Sequence, residues 1–225
     1  MEESKFQKIK SQVIKIFWVF LIGSVIGCIL ETIVGLIFDK TFQIRQGLIY
    51  GPFIPVYGIG LVMYYVIISN VKDIKKVFLL SMLLGGAIEY FCSLFQEICF
   101  GTVSWDYSDM FLNIGGRTSL LFCFFWGIAG VVFVKFILPL LRKIDMYLYS
   151  KKFKCVTAVL AVFMVMNISI SCMAGARQNE RMQKIEASTK VDAFLDKYYP
   201  DWVMNKVYSN KINRTRMPKA EKVNI

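Results

Sequence analysis

Histidine is missing from this chain altogether. That removes the commonest general base and the commonest metal ligand. The serines Ser93, Ser169 and Ser171 therefore have no imidazole to activate them. No G-x-x-x-x-G-K-[ST] loop occurs, so the chain does not hydrolyse ATP by the P-loop route. H-E-x-x-H, G-x-S-x-G and C-x-x-C are absent too, as is a pair of intramembrane aspartates of protease type. The six cysteines, Cys28, Cys92, Cys99, Cys123, Cys155 and Cys172, lie in or at the ends of apolar stretches. There they read as small packing residues. No catalytic residue, metal or cofactor is assigned, and an enzyme is not expected. Acidic residues are also scarce, 16 against 27 Lys and Arg, for a net charge of +11. Nucleic acid is not the expected partner. In an apolar chain, loop lysines at an anionic membrane surface explain the excess.

What the chain has in abundance is apolar sequence. It is 56% hydrophobic, against roughly 45–50% for soluble domains. The excess falls in five blocks, 16–38, 53–71, 77–100, 118–141 and 155–174. Each approaches the roughly 20 residues that cross a bilayer core. The reading is an all-α polytopic integral membrane protein of about five transmembrane helices. It comprises a basic N-terminus (1–15), a transmembrane domain (16–174) and a polar basic tail, partly helical (175–225). The first block holds Glu31 and is too long for a signal-peptide core, so it is expected to stay.

Charge placement gives the orientation. Lys5, Lys8, Lys10 and Lys15 precede the first block; Lys72, Lys75 and Lys76 follow the second; Arg142, Lys143, Lys151, Lys152 and Lys154 follow the fourth. The positive-inside rule places these on the cytoplasmic side. An odd number of spans then puts the tail outside the cell. The tail carries eleven Lys/Arg against six Asp/Glu. Met182, Ile185, Phe194, Leu195 and Tyr198 give it helical apolar spacing, with Pro200 as its expected stop.

Two carboxylates stand inside these blocks. Gly27-Cys28-Ile29-Leu30-Glu31 and Gly85-Gly86-Ala87-Ile88-Glu89 read as copies. A charge at a spanning centre costs roughly 2.5–3.5 kcal/mol, so it is expected to be paired, protonated or beside a polar cavity. Each motif precedes an outer loop, an arginine (Arg45 or Arg117) and a second apolar block, which points to parallel two-helix repeats. Gly23 and Gly27 share a helix face, and Gly85 and Gly86 do the same work, so helices can approach closely there. Glu97 lies on the face of Glu89 to within about 80° at roughly 100° per residue. With Asp106, these residues outline one polar cluster: Glu31, Arg45, Glu89, Glu97, Asp106 and Arg117. Two readings stand. The arginines hold an anionic or zwitterionic ligand oriented by the glutamates, or internal Glu–Arg pairs, Glu89 with Arg117 among them, fix helix register. Tyr50, Tyr57, Trp105 and Tyr107 read as interfacial belt anchors.

A longer set of residues is shared with a family. Glu31, Arg45-Gln46-Gly47, Tyr50-Gly51-Pro52, Pro55-Val56-Tyr57-Gly58, Glu89, Trp105-Asp106-Tyr107-Ser108, Asn113-Ile114-x-Gly116-Arg117 and Phe125-Trp126-Gly127 resemble the bacterial ABC-transporter type IV (CmpB-like) membrane proteins. Residues 194–201 resemble their tails, and the likeness spans about 16–208. It implies a multi-pass protein of the bacterial cell membrane and a permease subunit served by a separate ATPase. Thr118 departs from the pattern, where a larger apolar residue is expected. The loop Leu141–Phe153, with Arg142, Lys143, Asp145 and Tyr147, is the one candidate contact for an ATPase. Five spans are few for a lone transporter, so a homo-oligomer is expected under that reading. The alternatives are a non-transporting membrane protein that binds lipid or an envelope partner, and a small transporter that uses Glu31 or Glu89 as a proton or cation site.

Overall fold

The computed structural model describes residues 5–38, 40, 47–148, 150–209 and 211–213. The protein is mostly helical. Helix α1 covers Lys5–Phe38; α2 covers Pro55–Ile68; α3 covers Ile74–Phe100. Helix α4 covers Leu120–Met146, and α5 covers Lys151–Met182. Two short helices, α6 (Lys190–Tyr198) and α7 (Asp201–Val207), form the tail. Among the described residues, α1, α3, α4 and α5 are long and apolar enough to cross a membrane.

The second apolar block behaves differently from the rest. Its helix has 14 residues, or about 21 Å at 1.5 Å per residue, short of a roughly 30 Å hydrocarbon core. Pro55 stands at its first turn, where its missing N–H costs nothing. The preceding segment, 47–54, is non-helical and packs deep against α1 and α5. Lipid offers its backbone no partners, so protein must supply them. Ile54 N donates to Ser24 O at 3.0 Å. Asn167 of α5 clamps Tyr50: its Oδ1 accepts from Tyr50 N (3.1 Å) and its Nδ2 donates to Tyr50 O (2.6 Å). Ser171 Oγ accepts from Ile49 N at 3.0 Å.

Two helix pairs make the core. Gly27 lies under the ring of Tyr57, and Gly85 lies under the indole of Trp126. A Cβ at either position would overlap the aromatic ring, so only glycine permits the approach. Gly23 meets Leu61 and Gly86 meets Cys123 in the same two seams. The contacts run in parallel register: Gly58 meets Phe20 and Ser24 where Gly127 meets Phe78 and Met82. Both second helices widen to a π turn, over Tyr64–Ile68 and over Phe133–Ile137. Tyr64, Ile68, Val77, Trp126 and Phe133 form the main apolar cluster between them.

The ends of the bundle are tied by polar contacts. At one end Lys15 pairs with Asp145 (2.6 Å), and Trp18 stacks on Phe153 and donates to Thr157. This fastens the 141–153 loop to α1. At the other end the tail folds back. Helix α5 runs on to Met182, past the expected limit at 174, because the tail gives its last turns polar partners. Arg177 forks onto Asp196 with two 2.9 Å bonds, and Arg181 reaches Asp196 (2.6 Å) and Asp201 (2.8 Å). Tail strand β4 (Ile212–Asn213) pairs antiparallel with β1 (Thr102–Val103), which follows α3. Short strands were not expected from the sequence. They arise at the ends of the long helices, where the loop after α3 meets the tail and folds back on itself.

Replacing Asn167 by Leu is expected to orphan two buried backbone groups, at about 1–3 kcal/mol each. Thermal unfolding in detergent should show a drop clearly larger than that of Ser171→Ala. Equal losses would mean that the amide clamp is not what holds segment 47–54.

A pH dependence follows from Asp196. The Arg177 guanidinium, then that of Arg181, holds its carboxyl below the ordinary aspartate range. A depressed folded-state value means the tail gains stability above the unfolded value, about 3.9. That gain is lost as pH falls through the folded value. Hydrogen exchange across α6 and α7 is expected to accelerate below about pH 4. Asp196→Asn should exchange fast at neutral pH and lack the acid step.

Candidate functional site

Glu89 sits one turn beyond Gly85 on α3 and is 7% exposed. Thr118 Oγ1 donates to its Oε2 at 3.0 Å, and the Tyr107 hydroxyl approaches its Oε1 at 3.5 Å. Among the described residues no basic side chain forms an ion pair with it. A buried carboxylate at the middle of an apolar helix is thus served by neutral donors, the hydroxyls of Thr118 and Tyr107 and the side chain of Trp126.

The loop between α3 and α4 is built to deliver those hydroxyls. Strands β2 (Asn113–Ile114) and β3 (Thr118–Ser119) form a hairpin whose turn places Gly115 and Gly116 at positive φ. Asn113 fastens it: its Oδ1 accepts from Gly116 N, and its Nδ2 donates to Ser108 O and Met110 O. Asp106 accepts from the backbone and hydroxyl of Ser108, an Asx turn that opens the loop. Tyr107 N donates to Gly116 O at 2.8 Å, and its ring stacks on Phe122 with centroids 4.1 Å apart. Trp105 Nε1 donates to Arg117 O at 2.8 Å. The Trp-Asp-Tyr-Ser and Asn-Ile-x-Gly-Arg motifs are therefore two halves of one plug.

Thr118 points inward to Glu89, while Arg117, in the hairpin turn just before it, points towards Glu97. Its guanidinium pairs with Glu97 at 2.6 Å and donates to Ser93 at 3.2 Å, close to the Tyr90 ring. The expected Glu89–Arg117 pair does not form, because the hairpin pins Arg117 at the rim, two helical turns beyond Glu89. Arg117 and Glu97 are together; Asp106 serves its own turn. Arg45 lies outside the described residues.

The first helix pair mirrors this arrangement. The Tyr57 hydroxyl donates to Glu31 Oε1 at 2.7 Å. Its ring packs between Gly27 and Trp126, with a centroid separation of 5.6 Å from the indole. The charges of Glu31 and Glu89 act on one another and on Tyr57 and Tyr107. Tyr57, which donates to Glu31, and Trp126, which lies over Gly85 one turn before Glu89, pack together across the seam between the helix pairs.

Several of these residues escape a reading of the sequence alone. Tyr57 and Tyr107 pass for belt anchors; the structure turns their hydroxyls to carboxylates. Tyr50 instead meets Tyr199 of the tail, oxygen to oxygen at 2.8 Å. Thr118 looks like an inconsequential departure, yet it is the closest donor to Glu89. Asn167 did leave a signal: it is the single amide within the apolar run of α5. Among the described residues no group of three or more His, Cys, Asp or Glu could hold a metal ion.

The chain matches no curated protein and no solved structure. A family model described as "Putative ABC-transporter type IV" matches residues 18–172. That stretch runs from the start of the α1 seam to the end of the apolar part of α5. It includes Glu31, Glu89, the plug loop and Asn167, and the chain belongs to this family.

Proposed function

We propose that this protein is a permease-like membrane subunit whose exchangeable charge, a proton or a small cation, is carried at Glu89 and Glu31. The observation behind this is Glu89 itself, buried in the middle of an apolar helix with hydroxyl donors and, among the described residues, no ion-pair partner. A purely structural charge is usually compensated by an opposite one, as Glu97 is by Arg117. The tight packing of Tyr57, Trp126 and the glycines around the carboxylates favours a small species over a bulky one.

In this reading the two helix pairs are parallel repeats, and the acid pair marks their interface. The matching seams, the π turns at equivalent places and the Glu–Tyr contact on each side support the duplication. Segment 47–54 completes a fifth traverse together with α2. The lysine-rich ends then face the cytoplasm of a bacterial cell, and the tail lies outside. Membership of an ABC-transporter family supports a separate ATPase, with the fastened 141–153 loop as its contact. Two copies would give the pathway more walls than five traverses can.

The carboxyl stretch in infrared difference spectra of the protein in nanodiscs tests the site. Wild type is expected to show a carboxyl band that responds to pH and disappears in Glu89→Gln. If the substitution leaves the band in place, the site is elsewhere. Copurification from native membranes tests the other half: a stoichiometric P-loop ATPase is expected, and its absence would remove the ATP-driven reading.

Stability separates carrying from holding. Among the described residues Glu89→Gln strands no positive charge, so its melting temperature should stay near that of wild type. Arg117→Gln should cost about 1–3 kcal/mol, partly recovered by adding Glu97→Gln. A loss in Glu89→Gln as large as that in Arg117→Gln would make Glu89 a structural residue.

A further inference from the structure

The tail has a face that the bundle does not use. Leu195, Tyr199 and Met204 are buried against Ile49 and Ala174. Phe194, Tyr198 and Trp202 stand on the other side, 48%, 54% and 71% exposed. Phe194 and Tyr198 are one turn apart on α6 with rings 4.7 Å apart, and Trp202 is in the first turn of α7. Solvated helices do not usually carry such a row.

Depth identifies the occupant. Helix α5 leaves its apolar stretch at Ala174 and enters a polar run from Arg177 to Arg181. The tail is fastened at that very level: to Arg177 and Arg181 through Asp196 and Asp201, and to Gln178 through Asn205 at 2.9 Å. The exposed aromatics are thus set at the level where a spanning helix meets the headgroups, and Met173 near the end of the apolar part of α5 and Ile98 near the end of α3 are exposed too. Aromatic rings concentrate at that depth because one edge is apolar and the other wet. The charges agree. The tail's aspartates are occupied, Asp196 and Asp201 by arginines and Asp192 by the Thr189 cap. Lys190, Lys197 and Lys206 point outward and exposed.

We infer that α6 and α7 form an interfacial anchor: Phe194, Tyr198 and Trp202 insert among the lipids at the end of the bundle opposite the N-terminus, and Lys190, Lys197 and Lys206 bind anionic headgroups. The bilayer surface therefore holds the tail over segment 47–54 from one side while Tyr199 holds it from the other. This is independent of whether Glu89 carries a proton or cation.

A photoreactive benzophenone amino acid at position 202 tests the anchor in the full chain. The protein is placed in nanodiscs of phosphatidylcholine with or without phosphatidylglycerol, irradiated and analysed by mass spectrometry. Lipid adducts are expected at a yield near that of the same probe at lipid-facing position 98 and several-fold above buried position 204. With phosphatidylglycerol present, adducts should favour that lipid several-fold over its share, and Lys190→Gln, Lys197→Gln and Lys206→Gln together should abolish the preference. Adducts to a second copy of this chain, or none above position 204, would overturn the proposal. A lipid adduct without headgroup preference would overturn the role of the lysines.

Discussion

The side-chain amide of Asn167 satisfies both backbone groups of Tyr50, and much of the fold depends on that pair of bonds. Segment 47–54 is non-helical backbone inside an apolar bundle, a state tolerated only where protein replaces water. Held there, it fixes the start of α2 at Pro55, two residues before Tyr57. Tyr57 in turn covers Gly27 and reaches Glu31. Tyr50 also touches Tyr199, so the same segment receives the tail. An amide on α5 thereby sets both the acid pair and its outer cover.

The second constraint is steric. Membrane helices gain little from burying apolar side chains against one another, because lipid is equally apolar. They associate through close packing, and here glycine supplies it. With no Cβ at Gly27 and Gly85, two large rings can lie flat against helix backbones. The rings of Tyr57 and Trp126 then meet across the seam between the helix pairs. This brings two carboxylates from distant parts of the chain within range of one another and closes the space with aromatic surface. The glycines are thus part of the site, although they bind nothing.

Electrostatics divides the polar residues into two groups. Glu97 with Arg117, and Asp196 with Arg177 and Arg181, are charge-balanced and lie towards the rim, where partial solvation keeps their cost low. Glu31 and Glu89 lie deeper and are hydrogen-bonded by hydroxyls. Hydroxyl donors favour a carboxylate without cancelling its charge, which sets the Tyr57–Glu31 and Thr118–Glu89 bonds apart from the rim ion pairs. The plug loop keeps the groups apart: Thr118 begins its strand and meets Glu89, while Arg117 lies in the turn before it and meets Glu97.

Apolar length and periodicity were enough to read a helical membrane protein in this sequence, because spanning a bilayer imposes a residue count. The doubled Gly-x-x-x-Glu motif marked where carboxylates enter α1 and α3, and the loop motifs pointed to the family. Local pattern could not give the partners. Arg117 chooses Glu97 over Glu89 only because a hairpin turns it outward. Tyr57 and Tyr107 leave the expected aromatic belt only because segments 47–54 and 102–119 fold back into the bundle. The short α2 follows from its ends: the block 53–71 turns helical only from Pro55 and leaves the helix after Ile68. Each of these outcomes depends on residues far apart in the chain, such as Asn167 with Tyr50 or Thr118 with Glu89. The amino-acid sequence by itself determined which stretches seek lipid and where buried charge sits; the tertiary structure decided which donors that charge meets, because hydrogen bonds in a dry interior are set by geometry across the fold.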